Sequence, residues 1–328
     1  MTTFGNRNGK KNMREKRSLK YTFGLMLTLL LTAGCIATVP EPAATSTLTS
    51  PAATLKPTAT PTPIPPTATR EPTATLTATL TVTRPSTTPA EMPKGPGVEW
   101  HLVVISESSG WGLGAAFASQ IEKDVGVEVT LEDFAIGNLS AGDVLHELNA
   151  RPSIPELQGL SSALMDADFV LLFPSPMTSL GLDAFQSFER CFGDAVGIPA
   201  PCAPEASEKY TADLEAIWTK VFELRSGKPT ILRALDDATP FINRWNENQI
   251  FTVCTGCWEC YSAAARRAAD AFHIPFLSRY DIYNGVDHNI DPGQQGYIGG
   301  DGVHPNGLAQ AYTAGLLSKL GYEPVTPP

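Results

Sequence analysis

The sequence predicts an α/β fold, a three-layer sandwich in which helices cover both faces of a central parallel sheet of about five strands. From residue 98 onward, short apolar runs alternate with longer amphipathic stretches. This alternation is typical of a parallel sheet, because neighbouring parallel strands are joined by crossover helices. The apolar runs are almost continuous, as expected for strands that are buried on both faces. We therefore place one folded domain at residues 98–328.

Five apolar runs are predicted to form the strands. They are Trp100–Ser106, Val127–Phe134, Asp168–Phe173, Pro229–Leu235 and Pro275–Leu277. The helices are predicted at Leu113–Asp124, Ala141–Asn149, Ile154–Asp166, Leu182–Phe192, Ser207–Arg225, Glu259–Phe272 and Gly307–Leu320. Ligands of such sheets gather at the carboxyl ends of the strands, so functional side chains are expected in the loops that follow them.

The first 34 residues have the features of an export signal. Basic residues between positions 7 and 20 precede an apolar stretch, Tyr21–Thr32, and the stretch leads into Leu31-Thr32-Ala33-Gly34-Cys35. This last run resembles the lipobox of bacterial lipoproteins, which implies that Cys35 is lipidated and becomes the first mature residue. A plain signal peptide and an uncleaved anchor are the alternatives. We expect an exported protein, held by lipid on the extracytoplasmic face of the cell membrane.

Residues 35–97 are predicted to be a disordered linker. About half of the residues from Thr38 to Gly97 are Thr or Pro, and few are large and apolar. Such a segment buries too little apolar surface to fold, and its prolines favour extended polyproline geometry.

The charge of the chain excludes one class of partner. Loss of residues 1–34, which include seven Lys or Arg and one Glu, would change the formal net charge from −10 to −16. An acidic surface repels phosphate backbones, and no basic stripe is visible in the sequence. We therefore expect no nucleic-acid partner.

Two polar motifs fall in predicted loops. Ser106-Glu107-Ser108-Ser109-Gly110 ends the first strand, and Gly300-Asp301-Gly302-Val303-His304-Pro305 precedes the last helix. If Asp301 and His304 lie in a first helical turn, their spacing of three puts them on one face, and Asp301 can hold the His304 ring. The free ring nitrogen would then act as a base for a serine nucleophile. Together the motifs suggest a hydrolase that uses an activated serine.

This arrangement resembles the SGNH (GDSL-type) hydrolases from Trp100 to about Tyr322. Members carry Gly-Asp-Ser after the first strand, a Gly after the second, Gly-x-Asn-Asp after the third and Asp-x-x-His-Pro before the last helix. The resemblance implies a flavodoxin-like strand order, with Ser108 as nucleophile, His304 as base and Asp301 as its partner. Within Leu139-Ser140-Ala141-Gly142-Asp143, it implies that the N–H of Gly142 joins that of Ser108 in binding the oxyanion. No metal or organic cofactor is expected.

The third family motif is absent. After the third strand the chain continues Pro174-Ser175-Pro176-Met177, without the Asn whose side chain donates to the oxyanion in the family. Losing one such donor typically costs about 3 to 4 kcal/mol of transition-state stabilisation. Ser175 and Asn138 are the candidates to replace it. The change from Gly-Asp to Ser-Glu before Ser108 is milder, because Glu107 keeps the negative charge.

The resemblance implies a monomeric serine esterase that cleaves carboxylic esters, with an acetylated carbohydrate as one candidate substrate. The missing Asn motivates an alternative, a catalytically inactive binding module of the same fold at the cell surface. A third possibility is a thiol redox lipoprotein that uses the cysteine run near residue 257.

Five cysteines follow Cys35. Cys191 and Cys202 bracket a short loop rich in Gly and Pro, and we expect them to form a disulfide in an oxidising compartment. The run Cys254, Cys257 and Cys260 fits a disulfide plus one further thiol, a metal or cluster site, or a redox pair. No fourth ligand is evident, so a disulfide is favoured over a metal.

Overall fold

The structure is a computed structural model that describes residues 91–149, 153–179, 189–192, 199 and 201–326. Within them, five parallel strands form one sheet in the order β2-β1-β3-β4-β5. The strands are β1 (Glu99–Ser106), β2 (Glu128–Ala135), β3 (Phe169–Phe173), β4 (Ile231–Leu235) and β5 (Phe276–Leu277). This flavodoxin-like order confirms the predicted fold class and strand number.

The helices lie between the strands and after the last one. They are α1 (Leu113–Val125), α2 (Ala141–Asn149), α3 (Leu160–Asp166), α4 (Pro204–Arg225), α5 (Ile242–Glu247), α6 (Phe251–Ala271), α7 (Arg279–Asn284) and α8 (Gly307–Ser318). Helices α5 and α7 were not predicted, because six residues are too few to establish a helical period.

Two apolar cores confirm the three layers. Alternate residues of β1 point to opposite faces, so Val103 packs under α2, α3, α4 and α6 while Leu102 packs under α1 and α8. Leu102 of β1 and Phe117 of α1 are both fully buried. Burial of one such side chain stabilises the fold by about 1.5–3 kcal/mol.

Two predicted helix boundaries were wrong. Helix α6 begins at Phe251 rather than Glu259, so the cysteine run lies inside the helix and not in a loop before it. Its buried residues Cys254, Cys257, Trp258 and Tyr261 recur at helical spacing, which makes this stretch amphipathic. The predicted helix at Ile154–Asp166 is a 3-10 turn at Pro155–Leu157 followed by α3, because Gly159 between them has a left-handed backbone.

The disulfide prediction was also wrong in its pairing. Cys191 pairs with Cys254 and Cys202 with Cys260, so both bonds attach the segment before α4 to helix α6. Cys257 belongs to neither disulfide, and burial raises the pKa of its thiol to about 11. No group of side chains suited to a metal ion occurs in the part of the chain that the structure describes.

Several predictions concern residues that are described only in part. The signal peptide, Cys35 and most of the linker lie outside the described residues, as does most of the predicted helix Leu182–Phe192. Of the segment assigned to the linker, residues 91–97 are described. Met92 is buried against the domain, and Trp100 Nε1 donates to the carbonyl of Pro93 at 2.9 Å. Among the described residues, no helix is both long and apolar enough to cross a membrane.

Candidate active site

Ser108 lies in a tight turn directly after β1. Residues Ser108–Gly110 form one turn of 3-10 helix, and Glu107 caps it by accepting a hydrogen bond from Ser109 N at 2.5 Å. Gly110 packs so closely on Ser106 that a Cβ atom at this position would collide with the Ser106 hydroxyl. The turn therefore requires a glycine, and it presents Ser108 at the carboxyl edge of the sheet.

Two buried side chains from the last third of the chain hold this turn in place. Gln310 of α8 donates from Nε2 to the carbonyls of Ser109 and Trp111, at 2.8 and 3.0 Å. Arg279 of α7 donates to Ser109 Oγ at 3.2 Å and to Ser109 O at 3.3 Å. The prediction missed both residues, because α7 was not predicted and because a polar side chain in a predicted helix, such as Gln310, gives no sign that it faces inward.

Asp301 and His304 pair as predicted, but by a different local structure. His304 Nδ1 lies 2.8 Å from Asp301 Oδ2, while Asp301 Oδ1 accepts from the backbone N–H groups of Val303 and His304 at 2.9 and 3.0 Å. These N–H groups and the imidazole hold the pKa of Asp301 well below its usual range. The pair lies in the loop before α8, whose N-cap is Asn306, so Asp301 and His304 do not share a first helical turn.

The loop that carries His304 is fixed by its backbone. Gly299 N donates to His304 O and Asn306 N donates to Tyr297 O, both at 2.8 Å. On its other side the imidazole contacts the indole of Trp111, with ring centroids 4.8 Å apart. The ring is therefore held between a carboxylate at Nδ1 and a flat aromatic surface.

Ser108 and His304 line the same cavity, which has a volume of about 490 Å³. The β2–α2 loop reaches it through Gly137 and Asn138, and the segment after β3 reaches it through Ser175. Gly142 is not part of this lining, and it lies in the first turn of α2. Much of the remaining wall is aromatic: Trp111, Phe173, Phe192, Tyr210, Phe241, Trp258, Tyr261, Tyr283 and Tyr297.

The Ser108 hydroxyl has a carboxylate partner. It donates to Glu107 Oε2 at 2.8 Å, and no hydrogen bond joins it to His304 among the described side chains. The predicted pair therefore shares a cavity without a hydrogen bond between the two described side chains in this conformation. A change of the Ser108 rotamer is the motion that would redirect the hydroxyl, since the staggered positions of a serine side chain are close in energy.

The two candidate oxyanion donors outside the family motifs lie on adjoining segments. Ser175 N donates to Leu139 O at 2.8 Å, and Ala141 N donates to Ser175 O at 2.9 Å. These bonds tie the segment after β3 to the β2–α2 loop. Asn138 has a left-handed backbone, φ 61°, which asparagine tolerates better than most residues.

A second acidic group faces the serine turn. The Asp237 carboxyl neighbours that of Glu107, and Arg279 Nη1 lies 3.6 Å from Asp237 Oδ1. Arg279 has no exposed side-chain surface and also packs over the ring of Phe173. Removal from water and the negative charge of Glu107 raise the pKa of Asp237, and Arg279 only partly opposes them.

No model of a known protein family and no curated protein matches the chain. Solved structures do resemble it. A lipase from a goat rumen metagenome shares 18% identity with a TM-score of 0.51, over 68% of this chain and 98% of the lipase. This likeness shows that the two share a fold.

Two further structures superpose more loosely. The psychrotrophic esterase EstA from a Pseudoalteromonas species has 13% identity and a TM-score of 0.40, over 67% of this chain and 94% of EstA. A proposed SGNH hydrolase from Slackia heliotrinireducens has 11% identity and a TM-score of 0.41, over 67% of this chain and 98% of the other.

Proposed function

We propose that this protein is a serine hydrolase of carboxylic esters. One observation carries the proposal: Ser108, in the turn after β1, and His304, paired with Asp301 in the loop before α8, face one cavity. A nucleophile, a base and a carboxylate that orients the base are the groups that acyl transfer by serine requires.

The reaction would proceed in two halves. His304 Nε2 takes the Ser108 proton as Oγ attacks the ester carbonyl, and the imidazolium then returns that proton to the leaving alcohol. Water attacks the acyl-serine in the second half, with His304 again acting as base. Asp301 accepts from Nδ1–H throughout, which keeps Nε2 directed at the reacting atoms.

The developing oxyanion needs hydrogen-bond donors. We propose the backbone N–H groups of Ser108 and Gly142, together with the side chain of Asn138 or Ser175 in place of the family Asn. Asn138 and Ser175 are supported by their place in the cavity wall, whereas Gly142 rests on the sequence motif alone.

The cavity suits a substrate with one bulky group. Its volume of about 490 Å³ is within the range of roughly 300–1,000 Å³ usual for small-molecule sites, and an acetyl group alone would leave most of it empty. An acetylated carbohydrate stays a candidate if its sugar fills the remainder, because the half-exposed indole of Trp111 offers a face on which a sugar ring can stack.

The test is hydrolysis of p-nitrophenyl esters by the purified protein. We expect Ser108→Ala to lower kcat/KM at least about a thousandfold, as loss of a serine nucleophile does. Ser162→Ala, which removes an exposed hydroxyl on α3 outside the cavity lining, should match the wild type. Equal turnover by the Ser108 and Ser162 variants would rule out the assignment.

Two observations favour a second candidate, an inactive binding module of the same fold. The Ser108 hydroxyl is bonded to Glu107 rather than to His304, and the family Asn is missing. Such a module would show no turnover with any ester, yet would bind an acylated ligand in the aromatic cavity. Isothermal calorimetry with acetylated oligosaccharides would detect that binding in the wild type.

A further inference from the structure

The hydrogen bond from Ser108 Oγ to Glu107 gives the nucleophile a second proton acceptor. The distance of 2.8 Å is within the range of O–H···O bonds to a carboxylate. The same carboxylate accepts from Ser109 N through its other oxygen. Glu107 is thereby fixed at both oxygens, and it touches the atom that would attack the substrate.

Asp237 is placed to share a proton with Glu107. Both residues line the cavity, and the pKa of Asp237 is raised by removal from water and by the Glu107 charge. The Asp237 side chain is 32% exposed and forms part of the cavity wall. A bound substrate would therefore shield it further from water. A protonated Asp237 can donate a hydrogen bond to Glu107, so that the Glu107 carboxylate stays ionised and can accept from Ser108.

The charged and titratable neighbours of this pair come from three other elements. Arg279 of α7 contributes a buried positive charge, and the phenol of Tyr210 on α4 is held neutral because burial and then the nearby carboxylates raise its pKa. His304, which is paired with Asp301, lines the same cavity. When Glu107 and Asp237 share one proton, they carry one negative charge between them, which the positive charge of Arg279 balances. A buried cluster favours such a neutral state.

We propose that Glu107 is a second catalytic base for Ser108, that Asp237 is its positioning residue, and that the two extend ester hydrolysis to acidic pH. The proposal rests on the serine hydrolase function proposed above. It assigns to Glu107 a role beyond capping the turn.

Histidine side chains gain a proton in mildly acidic solution and then no longer accept one. Under those conditions Glu107 takes the Ser108 proton as the Oγ–C bond forms and the carbonyl electron pair moves to oxygen. The His304 imidazolium donates its proton to the leaving alcohol as the C–O bond breaks. In deacylation, His304 takes a proton from water as the new C–O bond forms. The acyl C–Oγ bond then breaks and releases the acid while Glu107 returns its proton to Ser108 Oγ, which restores the starting state.

The decisive experiment is the pH dependence of kcat/KM from pH 4.5 to 9 for the wild type and Glu107→Gln. The glutamine keeps a hydrogen bond to Ser108 but is not a base. We expect it to lose at least tenfold more activity at pH 5 than at pH 8. A loss by the same factor at every pH would overturn the proposal, because a purely structural role has no reason to follow pH. Glu156→Gln, an exposed carboxyl outside the cavity wall, is the matched control and should keep the wild-type profile.

Asp237 provides a test through its conservative variant. Asp237→Asn keeps a neutral donor to Glu107, whereas Asp237→Ala removes it. The Asn variant should retain activity at pH 5 to within about threefold, and the Ala variant should lose at least tenfold. Equal losses in both would contradict the positioning role.

A second pair of variants covers the case in which Glu107→Gln folds poorly. Because p-nitrophenolate leaves without a proton, His304→Ala should keep a Ser108-dependent residual rate with p-nitrophenyl esters. His304→Ala with Glu107→Asp, which shortens the reach to Ser108, should lower that residual rate at least tenfold, and no change would refute the second base. If Ser108→Ala is as active as the wild type, the proposed function itself fails, which separates the two outcomes.

Discussion

At the scale of single residues, the central question is which group accepts the Ser108 proton, the Glu107 carboxylate or the His304 imidazole. Glu107 is in contact at 2.8 Å, and His304 faces the same cavity from a loop fixed against Trp111. A serine hydroxyl that is hydrogen-bonded to a carboxylate and shares a cavity with an imidazole has two candidate acceptors for its proton. In a resting serine–histidine pair the serine hydroxyl is hydrogen-bonded to the imidazole, whereas here it is hydrogen-bonded to Glu107.

Asp301 should keep its charge over the whole working range of pH. Its pKa lies below the ordinary value, so the stabilising hydrogen bonds are present above the unfolded-state pKa of about 3.9. They are lost only as pH falls through the lower folded-state pKa. Between pH 5 and 9 the carboxylate is therefore available to hold His304.

Asp301→Asn tests that role. If the amide oxygen stays on the backbone N–H groups of Val303 and His304, its NH2 group faces Nδ1 and donates to it, which favours the wrong imidazole tautomer. We expect kcat to fall roughly 10²- to 10⁴-fold, by a similar factor at pH 6 and pH 9, as measured with p-nitrophenyl acetate. A loss below threefold would show that His304 works without Asp301.

At the scale of elements, the sequence was a good guide to what is long or continuously apolar. The observed strands lie within two residues of the predicted bounds. The buried strands β1, β3 and β4 are nearly continuous apolar runs, whereas β2 is half exposed and alternates apolar with polar residues. The predicted start of helix α4, Ser207, lies three residues after the observed start at Pro204. Proline suits a first helical turn. The start of α6 was missed, because the cysteine run was interpreted as a disulfide-bearing segment before the helix, whereas Cys254 and Cys257 are buried residues of the helix itself.

Contacts between distant elements were beyond the reach of sequence patterns. The cysteine pairing depends on how α6 lies beside the segment before α4, and spacing along the chain favoured a local bond that does not form. Arg279 and Gln310 likewise acquire their roles only when α7 and α8 pack under the serine turn. The motifs predicted which residues carry the chemistry, whereas tertiary packing determines what holds them.

At the scale of the whole molecule, the fold brings together segments about two hundred residues apart. The carboxyl ends of parallel strands lie at one edge of the sheet, so the loop after β1 and the loop before α8 can line the same cavity. The two disulfides lie beside that cavity, since Phe192 in its wall follows Cys191 directly. Disulfides are characteristic of oxidising compartments, which supports the proposal that the protein is exported.

The proposed lipid anchor can be tested on the full chain expressed in a bacterium. Lipidation of Cys35 should place the protein in the membrane fraction and allow it to incorporate a labelled fatty acid. Cys35→Ala should lose the label, while Thr38→Ala in the neighbouring linker should keep it. A Cys35→Ala protein that still carries the label would contradict the assignment.

The most direct test of the central claim is labelling by a fluorophosphonate probe, followed by mass spectrometry of the modified peptide. A serine activated by His304 should react at Ser108 in the wild type, at least tenfold more slowly in His304→Ala at pH 8, and not at all in Ser108→Ala. A wild-type protein that leaves Ser108 unmodified, or a His304→Ala variant that reacts equally fast, would contradict the account.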